Sequence, residues 1–378
     1  MVSALVISVI FAVAMPESYL LRTADALIRA QEDIPAMVQV AEMVANQIAA
    51  GGKLYAGGNP ALVSEVSGRA GGLMLITSLQ ERAKLDGDAV LFFADAEHPI
   101  SLKDLSTKVC WVVFGVTQPV QGANTLPMRD YGLSPTLTMA IQSWMFIGEL
   151  ISACTRLGKM PVLYESIGLY GGIPRQQKYQ GKNIFWHEEH QVPQISPGTL
   201  AREYALRVSA MLRRCEEKHR SDFERIGIWV AEANKAGHNL RMYSMGHLFP
   251  NEVNTTAIGR LFISGVWNAG FSYIPEPNDQ FYRGDVIIHI GYQHPPRTML
   301  ERATSAGAKA VYVAPYMDRD YPTDSDTVWI DPMYPFGDAC VPISGYDIPA
   351  LPASGVVNAA IAWEIYRVAC VHGAKPKQ

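Results

Sequence analysis

The chain lacks three features that would narrow its class at once: a charge of one sign, paired cysteines and long apolar runs. The formal net charge is only -4 over 378 residues. Proteins that bind nucleic acid concentrate Lys and Arg on one face, so this balance predicts no nucleic-acid partner. After the amino terminus, no segment reaches the roughly 18 consecutive apolar residues of a membrane helix. With 48% hydrophobic and 18% charged residues, the sequence predicts a globular protein without a membrane span.

Cysteine usage gives little sign of disulfides or metal binding. The five cysteines are far apart in the sequence, at Cys110, Cys154, Cys215, Cys340 and Cys370. None shows the paired spacing of a zinc site or a redox dithiol, so we interpret them as free, buried thiols. Their odd number leaves at least one unpaired, which weakly favours a reducing compartment.

The amino terminus favours the opposite location. Residues 1–14 form an apolar run that ends in Ala12-Val13-Ala14, the small-x-small pattern of a signal-peptidase site. We interpret residues 1–15 as a short export signal, although no Lys or Arg precedes the run. The alternative is a cytoplasmic protein in which this segment packs on the core.

Several cofactor and catalytic motifs are missing from the sequence. There is no Gly-x-Gly-x-x-Gly fingerprint, no Gly-Lys-Ser/Thr turn and no Gly-x-Ser-x-Gly elbow. These motifs hold dinucleotides, nucleotide phosphates and the nucleophile of α/β-hydrolases. We therefore predict no cofactor.

One pattern occurs twice in the chain. Gly87-Asp88, an apolar run and His98-Pro99 are matched by Gly284-Asp285, an apolar run and His294-Pro295. Upstream of each copy, glycine ends a probable helix and a short strand leads to a turn of small residues. Because the offset between the copies stays almost constant, the sequence indicates a duplication.

The duplication predicts an α/β fold with two tandem, doubly wound parallel sheets of flavodoxin-like type. Apolar runs that alternate with helices are typical of strands buried on both faces of a parallel sheet. A chain of 378 residues is also longer than a single domain with one hydrophobic core usually is. We predict strands at Lys53–Ala56, Ala89–Ala94, Val109–Phe114 and Pro161–Glu165, and at Leu240–Ser244, Val286–Ile290, Ala308–Val313 and Val328–Ile330. The predicted modules are 16–167, with amino-terminal helices, and 199–378, which opens with a polar helix at Pro197–Arg225; residues 168–198 are an irregular connection.

Three segments resemble the sugar isomerase (SIS) family of phosphosugar isomerases and phosphosugar-binding proteins. They are Val63 to Gly72 with its Arg-Ala-Gly-Gly stretch, Tyr243 to His247, and Pro352 to Asn358. The resemblance covers roughly residues 35 to 375 and implies two SIS-like modules, a carbohydrate-derivative ligand and a homo-oligomer. It also implies that Ser354, at the start of the last helix, faces the ligand.

The loops that hold phosphate in that family differ here. Such loops are rich in Ser and Thr because hydroxyl and backbone N–H groups can surround a dianion. The matching loops read Asp95-Ala96-Glu97-His98-Pro99 and Tyr292-Gln293-His294-Pro295-Pro296. Acidic residues in the first would repel phosphate, whereas Arg297 and Thr298 after the second could still meet an anion.

Aldose–ketose isomerisation needs a base that moves a proton and a group that opens the sugar ring. Ligands of open α/β sheets bind beyond the carboxyl ends of the strands, which selects the candidates. The catalytic candidates are Glu65, Glu252, His98, His247 and His294. The ligand-binding candidates are Gly57, Gly58, Asn59, Ser244, Gly246, Arg297, Thr298 and Ser354. Alternatively, the two glutamates only complement helix amino termini, and the histidines bond to the local backbone.

Trp186-His187-Glu188-Glu189-His190 brings metal-ligand residue types together. The nearby Gly and Pro argue against a helix that would align His187 and His190, and the zincin motif is absent. We predict no metal site and interpret this segment as a solvated or interface loop.

Three functions remain open at this point. The first is a non-catalytic binding protein for a carbohydrate derivative, which the altered phosphate loops favour. The others are a sugar or phosphosugar isomerase, and a structural or assembly protein that uses the fold as a scaffold.

Overall fold

A computed structural model describes residues 17–80, 85–101, 105–245, 247–266, 278–291, 297–315 and 325–377. The predicted export segment, Gly246 and His294 lie outside these ranges. The five cysteines lie within them as free thiols; Cys154, Cys215 and Cys340 are buried as predicted, whereas Cys110 and Cys370 are only partly buried.

The first half of the chain folds into a parallel sheet flanked by helices. Its elements are α1 (Tyr19–Arg29), a 3-10 turn (Ala30–Asp33), α2 (Ile34–Ala49), β1 (Leu54–Gly58), α3 (Pro60–Val66), β2 (Ile76–Ser78), β3 (Ala89–Phe93), β4 (Cys110–Phe114), β5 (Asn124–Thr125) and α4 (Pro135–Arg156). The five strands are parallel and lie in the order β2-β1-β3-β4-β5.

The second half builds a sheet of the same kind after a structured connection. Its elements are β6 (Met160–Pro161), α5 (Gly172–Tyr179), β7 (Trp186–His187), α6 (Thr199–Ala236), β8 (Leu240–Ser244), α7 (Leu248–Thr255), α8 (Ile258–Leu261), β9 (Ile263–Val266), β10 (Val286–Ile290), α9 (Arg297–Ser305), β11 (Lys309–Val313), β12 (Thr327–Ile330), β13 (Ala339–Val341), β14 (Ala350–Pro352) and α10 (Ser354–Val371). The order β9-β8-β10-β11-β12 repeats that of the first sheet. The predicted fold class is therefore confirmed.

The repeated Gly-Asp pair has the same structural task in both halves. Asp88 accepts a hydrogen bond of 2.8 Å from the backbone N–H of Lys53, just before β1. Asp285 accepts the corresponding bond of 2.9 Å from Asn239, just before β8. Each carboxylate thus ties the start of the first strand of its module to the start of the third, which explains why the motif occurs twice.

Two sequence predictions about the connection are wrong. The predicted strand Pro161–Glu165 is not part of the main sheet; only Met160–Pro161 is a strand, and it pairs antiparallel with β7. Residues 168–198 contain α5 and β7 and are not wholly irregular. The outer strands of the first sheet are β2 and β5 instead, which are too short to give a periodic signal. The helix predicted at Pro197–Arg225 is α6, which runs on to Ala236.

The two halves share one hydrophobic core. Buried side chains of α1, α2, α4, α6 and α10 form a single apolar cluster that also includes residues of both sheets. Among the residues that the structure describes, α4 is the one helix long and apolar enough to cross a bilayer, and its whole apolar window is buried in the protein. Helices from each module therefore pack at the border between modules.

Candidate functional site

At the carboxyl ends of β1 and β3, three polar side chains form a hydrogen-bonded group, which we name the strand-end site: Asn59, Asp95 and His98. The backbone N–H of Asn59 donates to the carbonyl of Phe93 over 2.8 Å, so the two strand ends lie side by side. Gly58 makes this approach possible. Its φ is +88°, and a Cβ there would lie 2.1 Å from the Phe93 carbonyl oxygen.

Asn59 and Asp95 hold the strand-end site together. The Asn59 carboxamide oxygen accepts from the N–H groups of Ala61 and Leu62 at the start of α3, over 2.9 and 3.2 Å. Its amide group donates to Asp95 Oδ2 over 2.6 Å. Asp95 Oδ1 accepts from the His98 backbone N–H and lies 2.9 Å from His98 Nδ1.

The strand-end site is both charged and open to solvent. Partial burial opposes ionisation of Asp95, but the hydrogen bonds from Asn59 and His98 outweigh it and lower the pKa of the carboxyl group. The side chains of His98 and Asp95 are 35% and 25% exposed. An ionised carboxylate and an imidazole are therefore available to a ligand at the edge of the first sheet.

Glu65 lies in a different place, at the border between the modules. Its side chain is fully buried and accepts from Arg69 over 2.7 Å, from the Trp144 indole N–H over 2.9 Å and from the Leu248 backbone N–H over 3.2 Å. Burial raises the pKa of Glu65, against the opposing effects of Arg69 and Trp144. Arg69 and Trp144 belong to the first module and Leu248 to the second, so the hydrogen bonds of this one carboxyl group join the two modules.

Arg69 extends this contact into a cluster that we name the ionic border. Its guanidinium group lies 2.5 Å from Asp338 Oδ2 and also contacts the Ser354 hydroxyl. Asp338 accepts from the backbone N–H of Ser354 over 2.8 Å. The approach requires glycine at position 355, since a Cβ there would lie 2.0 Å from Glu65 Oε1.

His247 also reaches across to the first module. It follows β8 with φ +69° and ψ −136°, a conformation that costs free energy for a residue with a side chain. Its Nδ1 lies 3.1 Å from the Ser64 carbonyl oxygen. Burial, assisted by the Arg69 charge, lowers the pKa of His247 to about 4, so the imidazole is neutral at physiological pH.

Glu252 occupies the matching position in the second module, in a cluster that we name the neutral border. One carboxyl oxygen accepts from the Trp363 indole N–H over 2.7 Å and contacts the Ser134 hydroxyl. The other oxygen is buried and has no hydrogen-bond partner among the residues that the structure describes. Burial raises the pKa of Glu252, although the side chains of Ser134, Trp363 and the neighbouring Thr136 act in the opposite direction. Four residues after it stands Thr256, where the first module has Arg69 after Glu65.

The predicted site residues therefore fall into separate groups. Gly58, Asn59 and His98 meet at the strand-end site; Glu65, His247 and Ser354 meet at the ionic border; Glu252 lies apart. Gly57 is buried in β1 and Ser244 at the end of β8, whereas Arg297 and Thr298 are exposed at the start of α9.

Two statements about the glutamates need correction. The sequence places them at the starts of their helices, but Glu65 lies near the end of α3 and Glu252 in the middle of α7. The alternative that they complement helix amino termini is therefore wrong. Sequence reasoning also did not find Asp338, Trp144 or Trp363, because nothing local indicates that they contact residues far away in the chain.

The histidine segment after β7 is better ordered than its composition indicates. His187 has a fully buried side chain, so the prediction of a solvated loop is wrong for this residue. Its Nε2 lies 2.7 Å from the Tyr346 hydroxyl group, and its Nδ1 lies 3.4 Å from Glu189 Oε1. The His190 ring packs edge-on against it, with 4.7 Å between the ring centres.

The two sheets of equal strand order define the class of this protein: a two-module α/β protein with doubly wound parallel sheets. No protein-family model matches the chain. No curated protein matches it in sequence.

Three solved structures are similar over nearly the whole chain, each at 10% identity. The C-terminal domain of glucosamine-fructose-6-phosphate aminotransferase from Francisella tularensis covers 96% of this chain and 98% of its own, with a TM-score of 0.49. A protein described as sugar binding from Salmonella typhimurium LT2 covers 93% and 99%, with a TM-score of 0.46. A protein described as a phosphosugar isomerase from Silicibacter pomeroyi DSS-3 covers 96% and 100%, with a TM-score of 0.47.

Proposed function

We propose that this protein binds a carbohydrate derivative without a phosphate group at the strand-end site of its first module, and that it does so without turnover. The observation that carries the proposal is the solvent-accessible Asp95 carboxylate, held between Asn59 and His98 where β1 and β3 end. Ligands of doubly wound sheets bind at this edge.

The chemistry of the strand-end site suits hydroxyl groups. Asp95 Oδ1 already meets the N–H groups of Glu97 and His98 and the His98 ring, whereas among the described residues Oδ2 accepts from Asn59 alone. Each carboxylate oxygen can accept about two hydrogen bonds, so Oδ2 is the atom that can accept from a sugar O–H group. The exposed part of the His98 ring adds a group that can donate or accept, depending on its tautomer. Sugars present hydroxyl groups that both donate and accept, so one ring can satisfy both residues.

The same charge disfavours a phosphorylated ligand. The loop carries Asp95 and Glu97, and the Asp95 carboxylate already uses the N–H groups of Glu97 and His98. In a phosphate site these N–H groups would face the anion. A sugar phosphate would therefore meet two carboxylates and lose two of its usual donors.

The ionic border supports binding over catalysis. The isomerase hypothesis assigns Glu65 or Glu252 as the base, yet both are fully buried, and the hydrogen-bond partners of Glu65 described above are all donors. A general base must come within hydrogen-bond reach of the carbon-bound proton that it removes. We assign Glu65 a positioning role, in which it fixes α3, whose first residues Asn59 caps.

The test uses matched sugars and matched variants. Thermal shift and calorimetry on the full chain compare a panel of hexoses, amino sugars and polyols with the 6-phosphates of the same sugars. We expect at least one unphosphorylated compound to raise Tm, since a ligand that binds only the folded state stabilises it. We expect its phosphate ester to bind more weakly.

Asp95→Asn should weaken the neutral ligand by roughly tenfold or more, the range for losing a hydrogen bond to a charged group. Asp86→Asn is the control, because Asp86 is an exposed aspartate of the same module whose side chain pairs with Lys108 over 3.3 Å. Equal affinity in the two variants, or stronger binding of the phosphates, would contradict the proposal. Conversion of a sugar seen by NMR would favour the isomerase, and neither binding nor turnover would favour a scaffold.

A further inference from the structure

We propose that the last residue of β7 and the segment after it bind a divalent transition metal, with zinc as the best match, through His187, Glu189 and His190. One ligand atom from each of these residues lies within 4.8 Å of the others. Two imidazoles and a carboxylate form a donor set suited to zinc, and unsuited to Ca²⁺ or Mg²⁺, which take oxygen ligands. The site is independent of the sugar-binding proposal.

The distances between the ligand atoms fit a metal site that forms after a small inward movement of one ligand. His187 Nδ1 lies 3.4 Å from Glu189 Oε1. This separation matches the edge of a tetrahedron with bonds of about 2.0–2.1 Å. The buried His187 is fixed by β7, which pairs with β6, so His190 is the ligand that must move inward. His190 is only partly buried, with a side chain that is 26% exposed, and it can make this movement.

The surroundings of His187 select the nitrogen that can bind. Its Nε2 faces the Tyr346 hydroxyl group over 2.7 Å, whereas its Nδ1 lies 3.4 Å from Glu189 Oε1 and 3.3 Å from the Tyr179 hydroxyl group, which must give way to an ion. Metal binding through Nδ1 requires the ring proton on Nε2, where it would face the Tyr346 oxygen, which also accepts from the Leu163 backbone N–H and from Arg175 over 3.2 Å each. A hydrogen bond of this kind from a ligating histidine orients the ring and is common in metal sites. Arg175, which also contacts Tyr346, retains Glu165 and Asp347 as partners.

Two side chains donate hydrogen bonds to the Glu189 carboxylate when no metal is bound. Lys178 Nζ lies 2.7 Å from its carboxylate, and the Tyr179 hydroxyl contacts the same oxygen. The Lys178 side chain is 60% exposed, so it can withdraw into solvent when an ion takes its place. Water completes the coordination shell, because Asp347, whose Oδ1 lies 3.9 Å from His190 Nε2, is already paired with Arg175.

The experiment measures metal binding by the full, untagged chain, since a histidine tag would bind zinc itself. After removal of metal with EDTA, calorimetry with ZnCl₂ should show one ion per chain. Co²⁺ should give the visible absorption of a four-coordinate site. Ca²⁺ and Mg²⁺ should not compete at a similar concentration.

His190→Gln and Glu189→Gln should each weaken zinc binding by at least about tenfold, because each removes a direct ligand. Both side chains are partly exposed, and the melting temperature of the metal-free variants checks that they fold. His372→Gln is the matched control, since His372 pairs with Glu224 over 2.7 Å and no third ligand stands near them in the part of the chain that the structure describes. Unchanged affinity in both ligand variants, or an equal loss in the control, would overturn the proposal.

Discussion

Glu65 and Glu252 occupy matching positions in the two modules, so replacing each with glutamine compares the two borders directly. Glutamine has nearly the same shape as glutamate, but only one of its two terminal atoms accepts hydrogen bonds. At Glu65 both oxygens accept: Oε1 from Trp144, and Oε2 from Arg69 and Leu248. At Glu252 one oxygen takes Ser134 and Trp363, and the other has no partner among the described residues.

The expected free energies of unfolding differ for this reason. In Glu65→Gln an amide N–H₂ group must face a buried donor, and Arg69 keeps Asp338 as its carboxylate partner. Breaking a buried ion pair costs roughly 3–5 kcal/mol, and the remaining partner favours the lower end, about 3 kcal/mol. In Glu252→Gln the amide oxygen can take the place of the carboxyl oxygen that accepts from Ser134 and Trp363. The amide N–H₂ group then takes the place of the oxygen that has no partner among the described residues. We expect a change of no more than about 1 kcal/mol.

The pH dependence of the Glu252 comparison has a defined sign. Burial raises the pKa of Glu252 in the folded state above the ordinary value of a glutamate. The protonated side chain therefore contributes stability that is fully present below the ordinary pKa and is lost as pH rises through the folded-state pKa. A glutamine at this position does not titrate. The Glu252→Gln variant should therefore gain stability relative to the original chain as pH increases from mildly acidic to neutral.

Equilibrium unfolding in urea, followed by tryptophan fluorescence and far-UV circular dichroism, measures these differences. Because one apolar core joins the modules, both signals should report the same transition. Glu203→Gln serves as the surface control, since Glu203 forms an exposed pair with Arg207 on α6. Equal costs for the two border variants, or a larger cost at Glu252, would refute the assignment of ionic and neutral borders.

Two further predictions concern the backbone and the thiols. Gly58→Ala should lower the free energy of unfolding, measured in urea, by several kcal/mol more than Gly181→Ala does. Both glycines have positive φ, but of the two only an alanine at position 58 would place its Cβ against a carbonyl oxygen. Equal losses of stability in the two variants would contradict this prediction. In the folded chain a thiol reagent should modify at most Cys110 and Cys370, because these two are partly exposed whereas Cys154, Cys215 and Cys340 are buried out of its reach. All five should react in urea, and rapid reaction of Cys154 in the folded state would count against the packing.

The parts of the fold that were predictable are those with a strong local signal. The strands Leu240–Ser244 and Val286–Ile290 have the predicted bounds, because each is an apolar run buried on both faces of its sheet. Strands of two or three residues such as β5 and β2 carry no period, and their pairing is decided by neighbours. The sequence therefore reveals the centre of each sheet better than its edges.

The candidate site was predictable only in part, for a related reason. Gly58, Asn59 and His98 follow strand ends, and strand order alone brings them together. Two partners of Glu65, Trp144 and Leu248, come from distant segments, and Arg69 meets Asp338 across 269 positions of the chain. Contacts of this kind depend on how the modules pack, which no local pattern encodes. A repeated acidic residue was thus visible in the sequence, but its environment was not.

The difference between the two borders also limits what the repeat implies about function. The modules share strand order, the Gly-Asp device and a tryptophan that donates to a buried glutamate. Yet Arg69 gives the first glutamate a charged partner, whereas Thr256 in the second module donates its hydroxyl to the backbone carbonyl of Glu252. A buried charge without a partner is costly, so burial favours the neutral form of Glu252. The two modules therefore share a scaffold but differ in the chemistry at the border, and a ligand bound at the first module need not have a counterpart in the second.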